Sequence, residues 1–149
     1  MDASEAIARE AIRDVISRYN HAGDRGQLEA LARCFAEDGV LDLEGEDDFV
    51  GRTAIHARLA RVVATSTQIG TRALVRHHVS SVRIEVTGPD SANAASYFLV
   101  FTEIGLDHWG RYADRFARAG DEWQIAHRKV RVDGAAPQSR MAAAHRIAP

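Results

Sequence analysis

Histidine can take and return a proton near neutral pH because its ordinary pKa lies at about 6.5, and this sequence holds seven. His21 falls opposite the apolar stripe of the first helical pattern, His56 precedes a polar helical face and His145 lies near the C-terminus. Those three read as solvated. His77, His78, His108 and His127 are left. Neighbouring residues of a strand point to opposite faces, so His77, with Val75 and Val79 on its parity, is the inward member of its pair, and His78, with Arg76 and Ser80, faces out. An inward histidine is either a proton-transfer group or a hydrogen-bonded core residue. To act as a base it needs a carboxylate that fixes its tautomer and stabilises its protonated form. Asp24 is the candidate, because Gly23 lets the chain leave the first helix and turn that carboxylate inward. The competing reading is that Asp24 caps the second helix.

The elements that must position these groups follow from hydrophobic period. Ala8, Ile12, Val15, Ile16 and Tyr19 recur at three- and four-residue spacing, which predicts an amphipathic helix over about 6–22, with Asp2 and Glu5 spaced as a capping box. A second, short helix has Leu28, Leu31, Ala32 and Phe35 on one face and should end at Glu37-Asp38-Gly39. Val40 to Leu43 alternates like a strand, the acidic run Glu44 to Asp48 reads as a solvated loop, and Ile55, Leu59, Val62 and Val63 predict a third helix capped near Thr53.

Beyond Gly70, β-branched and aromatic residues gather in four stretches, 73–87, 92–105, 109–119 and 122–132, separated by short Gly-containing loops. An antiparallel meander connects them most economically, and helices followed by strands give an α+β fold. In the first stretch the apolar parity switches from His77 and Val79 to Val82, Ile84 and Val86, which predicts a bulge near Ser80-Ser81 and a curved sheet. In the second, Ala94, Phe98, Val100 and Ile104 fill one parity and Ala95, Tyr97, Leu99 and Phe101 the other, so neither face looks solvated. With the helices on one face, a symmetric partner subunit or the C-terminal tail, 134–149, must cover the other. A homo-oligomer is expected, a dimer first and a trimer second.

Composition narrows the function classes. The 149 residues carry 19 Lys plus Arg against 21 Asp plus Glu, a formal charge of −2, which argues against nucleic acid or a membrane surface as partner. No apolar run approaches the ~18 residues of a membrane span, the N-terminus lacks the regions of a signal peptide, and a cytoplasmic protein is expected. Cys34, the only cysteine, sits beside Phe35 and reads as a buried small hydrophobe, not a thiolate nucleophile. Neither a zinc-binding spacing nor a glycine-rich phosphate loop is present, and the spacing of Asp24, His77 and His127 specifies no metal. No metal or cofactor is expected.

Six segments together resemble a known family: Ile12 to Asp24, Leu31 to Val40, Gly51 to Ile55, Arg76 to Ile84, Gly110 to Phe116 and Trp123 to Arg128. They are similar to the SnoaL-like branch of the nuclear transport factor 2-like superfamily, with scytalone dehydratase, hexachlorocyclohexane dehydrochlorinase and bile acid 7α-dehydratase as functional analogues. The resemblance covers nearly everything from the first helix to the last strand, and implies a single domain over 1–133. The implied fold is a cone-shaped α+β barrel, three helices packed on a curved, mostly antiparallel sheet that encloses a pocket. The implied chemistry is a cofactor-free lyase with an Asp–His pair. Asp24 matches the aspartate through the spacing from Tyr19, and His77 matches the histidine of a His-x-x-x-Asn motif whose Asn position is Ser81 here. Tyr19 and Tyr112 match pocket tyrosines, and the last-strand polar group is His127 or Arg128, between which parity does not choose.

Dehydration, elimination or a related isomerisation of a hydrophobic, cyclic small molecule is therefore expected, with His77 as base, Asp24 orienting it, and Tyr19 and Tyr112 as polar contacts. Leu41, Val75, Val79, Phe98 and Phe116 are either the apolar pocket wall or ordinary core. Ring closure or hydrolysis by the same pair is compatible with these residues. The alternative class is a module of the same fold that binds a small ligand or dimerises without catalysis.

Overall fold

The computed structural model describes residues 2–68, 74–139 and Met141. Three helices, α1 (Ala3–Asp24), α2 (Leu28–Arg33) and α3 (Arg52–Gln68), pack on one six-stranded sheet. Its strands are β1 (Phe35–Leu43), β2 (Phe49–Val50), β3 (Arg76–Gly88), β4 (Ser91–Thr102), β5 (Gly105–Ala119) and β6 (Glu122–Ala135). The order is β2-β1-β6-β5-β4-β3, with β1 parallel to β6 and every other pair antiparallel. The α+β class and the meander of β3 to β6 are as expected. Residue 73, where the first of the four strands was expected to open, and the tail beyond Met141 with His145 lie outside the described residues.

Helix α1 begins where Asp2 accepts the Glu5 backbone N–H at 2.8 Å. The expected capping box is only half made, because the Glu5 carboxylate takes the Arg9 guanidinium at 2.6 Å one turn on. Ile12, Val15, Ile16 and Tyr19 are buried against the sheet. The helix runs through Gly23 to Asp24, two residues past the expected end, so Asp24 does not come inward by the chain leaving the helix at Gly23. It is the fourth member of the i, i+4 row Ile12, Ile16, Asn20, Asp24, which already faces the sheet.

Helix α2 is shorter than expected, and Phe35 does not continue its face. The Cys34 carbonyl accepts the Ile125 N–H at 2.8 Å and Phe35 pairs with Ile125, so the parallel ladder with β6 captures the chain at once. Phe35 is fully buried with its ring 5.9 Å from that of Tyr19. The sequence Glu37-Asp38-Gly39 then ends no helix. It lies at an irregularity of the β1–β6 ladder, where a Cβ on Gly39 would stand 2.9 Å from the Ile125 carbonyl oxygen. Helix α3 opens at Arg52, so Thr53 is inside its first turn. Its Ile55 is buried and Leu59 and Val62 half-buried, whereas Val63 is largely exposed.

The bulge appears where the parity switch placed it. The β3–β4 register shifts between Ser80 and Arg83, and Ser81 takes a φ of 52°. His77 and Val79 before it, and Val82, Ile84 and Val86 after it, are thereby kept on one face. Strand β6 runs on to Ala135, and the segment beyond is tied down: Asp107 accepts the Ala136 N–H through its backbone and the Ser139 hydroxyl through its side chain. Residues 134–139 are thus held at the end of β6, and Met141 is buried.

Candidate active site

The concave side of the sheet, roofed by the helices, holds a cavity of about 360 Å³ whose wall is mostly apolar. That size falls in the range of small-molecule sites. Leu41, Val75 and Phe98 line it, as do Tyr19, Asp24, His77 and Tyr112. The last residue of α1 and the start of β3 meet here. His77 Nδ1 lies 2.6 Å from Asp24 Oδ1, and the same carboxylate accepts the His77 backbone N–H at 3.1 and 3.2 Å. One carboxylate thus fixes both the strand start and the imidazole. Helix α2, which Asp24 could have capped, opens at Gln27 with no side-chain cap. With Nδ1–H given to Asp24, Nε2 is the nitrogen that carries the lone pair. Across the bulge, Ser81 is exposed, on the opposite face from His77.

The two tyrosines owe their positions to an ion pair. Arg128 is fully buried and donates to both Asp114 oxygens, at 2.9 and 2.7 Å. Its guanidinium carbon sits 4.2 Å from the ring centre of Tyr19 and 4.2 Å from that of Tyr112. Burial works against the Arg128 charge, but Asp114 more than offsets it and holds the group firmly protonated. Burial pushes the Tyr19 and Tyr112 hydroxyls up from their ordinary values, so both stay protonated donors. Phe98 stacks on Tyr112 at 4.7 Å and lies over Gly110, where a Cβ would come within 2.8 Å of its ring.

Two expected wall residues lie elsewhere, as do both candidates for the last-strand polar group. Phe116 is 2% exposed in the core beside Trp123 and Ile125 and does not reach the cavity, because the ladder shift after Arg115 seats it opposite Ile125 at the far end of the sheet. Val79 lines a smaller groove of about 280 Å³ with Arg13, Ser17 and Val82, on the other side of a wall formed by Asn20, Asp24 and His77. The β5–β6 bulge that skips Ala126 settles the last-strand pair: Arg128 joins the inward row with Leu41, and His127, paired with Val40 and Arg115, faces away. Arg128 itself stands behind the tyrosines and not on the cavity surface.

Three polar residues of the wall, Asn20, Arg25 and His108, were given no role by the sequence. Asn20 is buried, with its Nδ2 donating to the Ile16 carbonyl at 2.8 Å. His108 survives the elimination of solvated histidines, and it is 3% exposed on the cavity wall with Nδ1 2.8 Å from Asp107 Oδ1. The adjacent Asp-His pair was the available signal, but strand parity at the start of β5 is hidden by ladder shifts after Val100 and after Trp109. Cys34 is buried, as expected, and burial pushes its thiol up. Among the described residues no helix is long and apolar enough to cross a membrane.

No curated protein matches the sequence. Among solved structures the chain is similar to Rv3472, a protein of unknown function from Mycobacterium tuberculosis, at 25% identity over 95% of this chain and 90% of that one, with a TM-score of 0.78. A candidate scytalone dehydratase from Novosphingobium aromaticivorans shares its fold at 23% identity over 91% of each chain, with a TM-score of 0.77. A protein from Catenulispora acidiphila, solved in complex with S-DNPA, is 25% identical over 86% of this chain and 95% of that one, with a TM-score of 0.71. The SnoaL-like domain family matches residues 4–129, and with that match the cone of helices on a curved sheet belongs to a member of the SnoaL-like family.

Proposed function

We propose that this protein is a cofactor-independent enzyme that removes a proton from a hydrophobic, cyclic small molecule, with His77 as general base and Asp24 as its orienter. The observation that carries the reading is the 2.6 Å contact of His77 Nδ1 with Asp24 on the wall of an apolar cavity. The complex of the Catenulispora relative with a small molecule supports a ligand site in this fold. In an elimination, Nε2 of His77 takes a proton from the carbon next to the one bearing the leaving group, the C–H electron pair becomes the new double bond, and the leaving group departs with its bonding pair. Tyr19 and Tyr112 donate hydrogen bonds to the oxygen on which negative charge develops, and the imidazolium returns its proton to a departing hydroxide, which leaves as water. An isomerisation uses the same first step and returns the proton to another carbon.

The test is a screen of cyclic hydroxy-ketones for loss of water or double-bond migration, run with wild type and His77→Ala in parallel. Turnover that falls roughly 10²–10⁴-fold in His77→Ala is expected, as for loss of a general base. Full turnover by His77→Ala overturns the assignment, and ligand binding without turnover by wild type supports the non-catalytic module.

A homodimer is part of this proposal. The sheet face away from the helices leaves Tyr97, Leu99 and Phe101 exposed at 57, 38 and 37%. The described part of the C-terminal segment runs to the cavity, where Met141 forms wall, and not across this face. A second copy of the chain pairing through β4 covers these side chains. Light scattering is expected to give about twice the chain mass for wild type and the monomer mass for Leu99→Arg, and a monomeric wild type at micromolar concentration contradicts the pairing.

A further inference from the structure

Among the described residues, Met141 is the one part of the cavity wall that comes from beyond β6. It is 8% exposed, and the chain reaches it by a clamped route. Ala135, the last residue of β6, pairs with His108, so the segment leaves the sheet beside Asp107. There the Asp107 carbonyl accepts the Ala136 N–H at 2.7 Å, and the Ser139 N–H closes a turn on the Ala136 carbonyl at 2.9 Å. The Ser139 hydroxyl donates to the buried Asp107 carboxylate at 2.6 Å. Two further residues of chain span at most about 7 Å, so Met141 enters the wall from the His108 end of the cavity.

That end lies across from the base. Antiparallel partners share a face, and His77 pairs with Val100, which pairs with His108. Two strand spacings, about 9–10 Å, therefore separate the His77 and His108 backbones. A six-membered ring with one carbon at His77 points its far side toward Met141. The cavity, at about 360 Å³, is near the lower end of small-molecule sites and has little slack in that direction. The other apolar wall residues at this end are fixed. Phe98 is 2% exposed and stacked on Tyr112 at 4.7 Å, and Val132 is β-branched and seated in the β5–β6 ladder opposite Gly110. Methionine is unbranched and adaptable, so Met141 is the side chain here that can be shortened without rebuilding the sheet.

We infer that Met141 is a specificity residue that stops the cavity opposite His77 and limits the substrate to rings with no more than a short substituent on the side away from the carbon that His77 deprotonates. The inference rests on the proposed function and deepens it by bounding the substrate class. Asp107 and Ser139 are positioning residues that hold the stop in place.

Two ketones that differ only in that substituent test it, 4-methylcyclohexanone and 4-propylcyclohexanone. An open apolar pocket rewards the two extra methylenes with about tenfold tighter binding. Calorimetry on wild type is instead expected to show the two bound within about twofold of each other, because the longer chain meets Met141. Met141→Ala opens the stop and is expected to bind the propyl compound about tenfold tighter than the methyl compound, whereas Met141→Leu keeps the wild-type ratio. Ser139→Ala loosens the clamp and moves the ratio the same way, less far. A ratio of two ligands, unlike either affinity, does not follow a general loss of stability. Should Met141→Ala fail to fold, the Met141 methyl signal, one of two methionine signals in this chain, is expected to move further in wild type with the propyl compound than with the methyl compound. A wild type that already prefers the propyl compound about tenfold, a ratio unchanged in Met141→Ala, failure of wild type to bind either ketone, or a Met141 methyl that neither compound moves overturns the inference. The base assignment fails separately, through full turnover in His77→Ala, and leaves the role of Met141 standing.

Discussion

Asp114→Ala is expected to destabilise the protein by about 3–5 kcal/mol, the usual result of stranding one partner of a buried ion pair. Arg128 has no exposure, and both its hydrogen bonds from Nε and Nη2 go to Asp114. Among the described residues its Nη1 has no hydrogen-bond partner, and none of them offers it a spare acceptor to replace the lost carboxylate. Against a typical total stability of about 5–15 kcal/mol this is a large fraction, and for a chain of this size it lowers the melting temperature by roughly 10 °C or more. The double variant Asp114→Leu with Arg128→Met removes both charges and is expected to recover most of the loss, because the buried pair contributes little beyond mutual compensation. Thermal and urea unfolding measure both. A cost under about 1 kcal/mol for Asp114→Ala, or a double variant no better than the single, shows that Arg128 does not depend on Asp114. Activity in the double variant is expected to stay low even where stability returns, since Tyr19 and Tyr112 lose the cation that packs between their rings.

Asp24→Asn is the second large effect. The amide keeps the shape but gives up the charge, and its Nδ2 can only donate toward a ring nitrogen that itself donates to Asp24 in the native protein. Either the amide flips and holds His77 more weakly, or the imidazole changes tautomer and presents N–H to the cavity. Both weaken the base, and turnover on a substrate found by the screen is expected to drop roughly 10²–10⁴-fold with little change in folding. The His77 backbone N–H also loses a charged acceptor, so KM is expected to rise modestly as the start of β3 loosens. A variant with wild-type kcat means that Asp24 anchors the strand and takes no part in proton transfer.

How much of this was legible in the sequence depends on how local each signal is. The inward aim of His77 and the bulge at Ser80-Ser81 were both readable because strand parity needs only a few neighbouring residues. Asp24 was a candidate from the helix end alone, the resemblance supplied Tyr19 and Tyr112, and those residues meet in one cavity. The route by which Asp24 arrives was misread, since a single glycine does not end a helix whose i, i+4 row is already buried. Phe35 was assigned to α2 on period alone, and it was a partner 90 residues downstream, Ile125, that drew it into a strand. Long-range pairing of that kind leaves no mark in a local window. Ladder shifts likewise hid His108 and left His127 and Arg128 undecided, because a one-residue slip exchanges the faces of every residue beyond it. The placement of Phe116 in the core depended on the same shift.

The most direct test of the central claim is the tautomer of His77, read from its ring nitrogen signals in a long-range proton–nitrogen spectrum, in wild type and in Asp24→Asn, at a pH where free imidazole is neutral. If Asp24 orients a base toward the cavity, wild-type His77 shows a protonated Nδ1 with a strongly deshielded proton and an unprotonated Nε2, and the deshielded proton disappears in Asp24→Asn. A wild-type His77 protonated at Nε2, or a spectrum that Asp24→Asn leaves unchanged, contradicts it.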